Sequence, residues 1–167
     1  MVLVSAHPEC VNGARALVDQ YIRLPDAWVR HGGVPPRLPL SFEREIAEFP
    51  GIATPPFGDV VIAVTKNIVV ATGEVIPLDS NRCEFKRVFV TPEFSGAGIG
   101  TRLAAAMIDP AVTLGYAVAA LDAMPERTRA LHLWKAAGFS ACPAYREYAF
   151  PMVFLSGTLP QADDSRT

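Results

Sequence analysis

The chain has 167 residues, of which 50% are hydrophobic and 19% charged, with a formal net charge of -2. That length can bury a core the size of one domain, and the composition excludes a wholly disordered chain. The balanced charge, and apolar stretches far short of the roughly 20 residues that span a bilayer, argue against nucleic acid and membrane as partners.

The start carries no basic segment followed by a long apolar run, so no signal peptide is expected. Cys10, Cys83 and Cys142 are odd in number and far apart, with no Cys-x-x-Cys. Neither a zinc site nor a disulfide framework is expected, no metal is implied, and reduced thiols fit a cytoplasmic location.

In chain order, residues 14–22 predict a helix, with Leu17, Val18, Tyr21 and Ile22 at helical spacing and Pro25 closing the segment. Proline and glycine dominate residues 31–40. Residues 41–49 predict a second helix, on which Phe42, Ile46 and Phe49 share a face. Residues 50–58 read as a loop. Residues 59–65, 67–76 and 83–91 are rich in β-branched and aromatic types with turn chemistry between them, which predicts an antiparallel meander.

Residues 98–114 read as a long helix interrupted by Pro110, which removes the amide that would bond to the carbonyl of Ala106. Residues 116–123 read as a strand, 128–137 as a helix stopped by Gly138, and 150–155 as a last strand. Residues 1–160 are taken as one domain and 161–167 as a polar tail. The order predicts an α/β or α+β domain with a mixed sheet.

The most informative segment runs from Val88 to Thr101, where a strand enters a turn holding Gly96, Gly98 and Gly100, and the turn opens a helix. Glycines let the backbone approach a ligand, and the first amides of a helix are unpaired and sit at its positive end. Together they form a seat for phosphate. No lysine follows Gly100, so a Walker A loop does not fit, and Thr101 stands where a dinucleotide fingerprint needs its third glycine. Asp122, about 20 residues after the loop, keeps a weaker dinucleotide reading open.

Residues 83–139 resemble the GNAT superfamily of acyl-CoA-dependent N-acyltransferases. The resemblance rests on Glu84-Phe85-Lys86-Arg87-Val88-Phe89-Val90-Thr91-Pro92, then Ser95-Gly96-Ala97-Gly98-Ile99-Gly100. It continues in Gly115-Tyr116, Leu121-Asp122 and Ala130-Leu131-His132-Leu133-Trp134-Lys135-Ala136-Ala137-Gly138-Phe139. It extends more loosely over residues 59–155, and the first 58 residues carry little of it.

The resemblance implies a central mixed, mostly antiparallel twisted sheet with a splayed parallel strand pair, flanked by helices. It implies an acyl-CoA cosubstrate, acetyl-CoA or similar. The pantetheine arm would lie along the backbone of Val88, Phe89 and Val90. The pyrophosphate would rest on Ser95, Gly96, Ala97, Gly98, Ile99, Gly100 and Thr101. A neutral amine, from a small molecule or a protein amino group, attacks the thioester directly, and a monomer or homodimer suffices.

Two departures bear on activity. Ser95 replaces the usual Arg or Gln of the loop. Trp134 stands where many members have a Tyr that protonates the leaving thiolate, and an indole is no acid near neutral pH. For the base, the resemblance points to Glu84, with Asp122 second. Strand alternation puts Glu84, Lys86, Val88 and Val90 on one face and Phe85, Arg87 and Phe89 on the other. Tyr145 and Tyr148 are candidates to replace the missing acid, and His132 reads as a surface residue. The reading is an N-acetyltransferase, with a catalytically weak acyl-CoA-binding module as the alternative. The acceptor would enter over residues 31–58, whose charges nearly cancel.

Overall fold

The computed structural model describes residues 2–5, 8–28, 32, 33, 35 and 37–161. The elements begin with β1 (Val2–Ser5), α1 (Pro8–Ile22), α2 (Pro25–Trp28) and α3 (Leu40–Glu48). The meander follows as β2 (Asp59–Thr65), β3 (Ile68–Pro77) and β4 (Arg82–Val90). A 3-10 turn, Pro92–Phe94, leads into α4 (Ile99–Ala106) and α5 (Ile108–Thr113). The chain closes with β5 (Val118–Ala123), α6 (Thr128–Ala136), β6 (Ser140–Ala141) and β7 (Val153–Thr158).

The strands form a seven-stranded sheet in the order β1-β2-β3-β4-β5-β7-β6. Every neighbouring pair is antiparallel except β4 and β5, which run parallel. The predicted mixed, mostly antiparallel sheet with helices on its faces is the fold observed. Period-two alternation feeds two cores, one on each side. On β2, Val61 and Ala63 join Phe85, Leu103, Met107, Trp134 and Leu155 on the side of α4, α5 and α6. Val60 and Ile62 join Ala14, Val18, Ile22 and Phe49 on the side of α1 and α3.

Three differences from the sequence reading have physical causes. The helix expected over 98–114 is two helices that part at Met107, three residues before Pro110. A proline lacks the amide that would bond to Ala106, so the break follows from the residue that predicted it. The last strand starts at Val153 rather than 150. Pro151 cannot donate to a ladder, and the pairing with β5 begins two residues later, at Val153 opposite Ala123.

The third difference corrects the faces of β4. Thr72 pairs with Phe89 but Glu74 pairs with Lys86, so one residue of β3 opposes two of β4, Arg87 and Val88. Arg87 takes a left-handed backbone, φ 51°. Such a bulge shifts the alternation by one residue. Val88 and Val90 therefore join Phe85 on the α4–α6 side, and Arg87 and Phe89 face Tyr21 of α1 on the other. Strand β1, helix α2 and the two-residue β6 were not foreseen. The polar tail at 161–167 lies, beyond Gln161, outside the described residues. No helix among them is long and apolar enough to cross a membrane.

Candidate functional site

Strands β4 and β5 pair only over Arg82↔Val118, Cys83↔Ala119 and Glu84↔Ala120. Beyond that point β4 runs to Val90 and β5 to Ala123 without pairing to each other. The two strands open a wedge and leave the facing edge of β4 free to bond a ligand. A cavity of about 880 Å³ fills the wedge. It is lined from Phe85 to Val90 on one side and from Leu121 to Met124 on the other.

The glycine turn closes one end. Ser95, Gly96, Gly98, Gly100 and Thr101 line the cavity. The Ser95 amide is already bonded to the carbonyl of Pro92, 3.1 Å away. Among the described residues, no carbonyl accepts from the amides of residues 96–101. Gly98, with φ 75°, is the left-handed residue that turns the chain into α4. A Cβ on Gly100 would lie 3.1 Å from Leu133 Cδ1 and 3.8 Å from Val90 Cγ2. Both of these residues line the cavity. This is a backbone cradle for an anion at the start of a helix, with an open channel beside it. It fits a CoA pyrophosphate and pantetheine arm. Arg129, on the first turn of α6, adds positive charge to the same cavity.

Of the other expected cofactor contacts, Val88, Phe89, Val90 and Trp134 line the cavity, whereas Ala97 and Ile99 do not. Ile99 is buried in the core instead. Trp134 is 4% exposed and packs against Phe85 (ring centroids 5.5 Å apart) and Phe139 (5.0 Å). It serves as an aromatic wall of the wedge and as core at once.

The expected catalytic groups meet in one cluster on the opposite side of β4 and β5, under the loop between β6 and β7. Glu84 is fully buried. It accepts hydrogen bonds from Arg146 Nη2 (2.9 Å), Arg146 Nη1 (3.2 Å) and the Tyr145 hydroxyl (3.2 Å). Burial, then the neighbouring Glu84 charge, pushes the Tyr145 phenol far above its usual range. Neither Glu84 nor Tyr145 lines the cavity. Asp122 does, at the end of β5, and so does Tyr148, which donates a 2.6 Å hydrogen bond to Asp122 Oδ2. Burial and that bond hold the Tyr148 phenol protonated, its pKa pushed up to about 12. Arg146 Nη1 stands 3.7 Å from Asp122 Oδ2 and so links the two carboxylates.

Sequence reasoning missed two groups. Arg146, which ties Glu84 to Asp122, sits in an irregular loop where no periodicity marks it. Glu74 is buried on β3 and its Oε1 has no hydrogen-bond partner among the described residues. Burial raises its pKa from 4.5 to about 7, against the opposing pull of Arg87. Because the folded state holds this proton more tightly than the unfolded chain, the gain is complete below about 4.5. It is lost as pH rises to about 7 and stays lost above that. Glu74→Gln should therefore match the wild type near pH 5 and exceed it at pH 8. The gain should be on the order of 3 kcal/mol, read by urea unfolding at both pH values. An equal difference at both would show that Glu74 does not titrate in this window.

Residues 26–139 match the sequence model of the acetyltransferase (GNAT) family. The chain belongs to the GNAT family of acetyltransferases. Among curated relatives, an uncharacterized N-acetyltransferase of Schizosaccharomyces pombe is 34% identical over 71 residues, 42% of this chain. The match spans 44% of that relative's length. Among solved structures, an acyl-CoA N-acyltransferase from Klebsiella pneumoniae superposes with a TM-score of 0.70 at 20% identity, covering 95% of this chain and 97% of its own. A GNAT family acetyltransferase from Elizabethkingia anophelis with acetyl-CoA bound gives 0.57 at 19% identity, over 75% of this chain and 94% of its own. At these identities the structures speak for the GNAT fold.

Proposed function

We propose that the protein transfers an acetyl group from acetyl-CoA to a primary amine. The observation that carries this is the unpaired β4 edge, which leads from a glycine cradle at one end of the cavity to a carboxylate and a phenol at the other. CoA binds along the first half, with its pyrophosphate on residues 96–101 and its pantetheine beside Val88, Phe89 and Val90. The acetyl thioester then stands near the vertex of the wedge. The amine nitrogen bonds to the thioester carbon, the C–S bond breaks, and the electron pair leaves with the CoA sulfur. The surplus proton of the amine must pass to a base.

Of the two carboxylates at the cavity wall, Glu45 is held by two nitrogens of Arg87 and Asp122 stands at the end of β5, so we assign the proton to Asp122. Glu84 is held by Arg146 and Tyr145 away from the wall and positions Arg146 beside Asp122. A thiol near pKa 8.5 leaves as a thiolate without full protonation. Tyr148, whose one O–H is donated to Asp122 and whose pKa lies higher than that of the thiol, does not protonate it. Residues 1–160 serve as the one acyltransferase unit. The thiols of Cys10, Cys83 and Cys142 are free, which supports a reducing compartment such as the cytoplasm.

Trp134 in place of an acid keeps a second reading in play, an acyl-CoA-binding module with weak turnover. Thiol release from acetyl-CoA against a mixed amine panel separates the two. CoA at 100 times its dissociation constant should add about 2.7 kcal/mol of stability, seen as a raised melting temperature. Stabilisation by NAD and not by CoA would overturn both readings.

A further inference from the structure

We propose that the acceptor is a large apolar α-amino acid whose carboxylate is received by Lys86. The inference rests on the acyltransferase reading and names the substrate class of that same site.

Tyr21, Trp28, Phe42, Phe89, Phe150 and Met152 all line the cavity. Trp28 meets Phe42 edge-on at 5.7 Å, and Tyr21 meets Phe89 at 5.8 Å. These rings come from α1, α2, α3 and β4, so several separate elements converge on one aromatic wall. Arg87 stands over Tyr21 and Phe42, and Arg127 over Tyr21. A small polar amine would leave the rest of the wall wet, whereas an apolar body of comparable size removes it from water.

Charge then selects among apolar amines. Two carboxylates reach this cavity, Glu45 and Asp122, and both are engaged. Glu45 takes two guanidinium nitrogens of Arg87. Asp122 accepts from Tyr148, with Arg146 at 3.7 Å. Neither is left to hold the second ammonium of a polyamine. Lys86 also lines the cavity, and its charge acts on Glu74, its neighbour across the β3–β4 ladder. It stands one residue before the bulge and two beyond Glu84, the last residue of β4 paired to β5, so it sits at the vertex of the wedge. The carboxyl opposite it in β3 is Glu74. Burial holds that carboxyl mostly as the neutral acid below about pH 7, where the ammonium is left for a substrate carboxylate, and above that pH the two side chains attract each other.

The arrangement is thus a half-buried cation beside the place where the acyl carbon would stand, backed by an aromatic wall. In an α-amino acid the nitrogen and the carboxylate share one carbon. Anchoring the carboxylate on Lys86 therefore brings the nitrogen to the thioester and the side chain to the rings. A protein lysine or an arylalkylamine offers no carboxylate there.

The test uses the full chain with acetyl-CoA and three acceptors: L-phenylalanine, its decarboxylated counterpart 2-phenylethylamine, and spermidine. L-Phenylalanine should be preferred in kcat/KM by on the order of ten- to a hundredfold over 2-phenylethylamine. Spermidine should be poorer still. Lys86→Met should erase most of that preference by raising KM for L-phenylalanine. Lys86→Gln serves if the first variant folds poorly. Calorimetric titration of L-phenylalanine into the CoA-saturated protein should show binding that the variant loses.

Preference for 2-phenylethylamine or spermidine, with CoA bound and turnover seen, overturns the substrate class and leaves the acyltransferase reading standing. An equal fall in kcat for L-phenylalanine and 2-phenylethylamine in Lys86→Met overturns the assignment in another way, because Lys86 then acts on the thioester. Absence of both CoA binding and turnover fails the underlying reading itself.

Discussion

Gly100→Val should lower CoA affinity by on the order of a hundredfold while the sheet stays folded. The new side chain would project between Val90 and Leu133, into the channel proposed for the pantetheine arm. Its first carbon meets the flexible end of Leu133 at 3.1 Å, which can yield. The backbone at Gly100 is ordinary helix, so a branched residue is tolerated there at modest cost. Gly98 gives a poorer test. Its φ of 75° strains any β-branched residue, so loss of binding in Gly98→Val would mix with loss of fold. Calorimetric titration with CoA and a circular dichroism melt of Gly100→Val decide the matter. Full affinity in a folded variant places the CoA arm elsewhere.

The parts of this fold legible in the sequence are those set by local chemistry. The strand at 59–65 was bounded by turn residues and matches β2 residue for residue. The break in the long helix follows from one missing amide, and Pro110 announces it. The glycine turn could be read because three glycines at alternate positions have few other uses. The faces of β4 could not, since the bulge at Arg87 depends on pairing with β3 and on the ion pair and aromatic contacts that hold Arg87 against Glu45, Tyr21 and Phe42. Those are partners 42 or more residues away in the chain. The same holds for Glu84. The residue was picked out by resemblance, but its burial and its bond to Arg146 are properties of a loop 62 residues downstream. Alternation along one strand says nothing about what a distant loop lays across it.

That distinction between Glu84 and Asp122 supplies the second large expected effect. Asp122→Asn should lower kcat by about 10²–10⁴ with little change in CoA affinity. Asparagine keeps the shape and can still accept the Tyr148 hydrogen bond, and Arg146 keeps its two bonds to Glu84. The fold therefore has little reason to suffer, and the loss reports the carboxylate's charge at the cavity wall. Glu84→Gln removes a charge that is fully buried and paired, so its first consequence is on stability. The size of that loss is tempered because Arg146 is itself 35% exposed. The solvent isotope effect separates proton transfer from mere positioning. The surplus proton leaves the amine nitrogen after it attacks, so a base that takes it slows kcat in heavy water. If Asp122 takes that proton, Asp122→Asn should change the isotope effect on kcat together with the rate. If the rate falls with the isotope effect unchanged, Asp122 only orients the acceptor, and the proton leaves by another route.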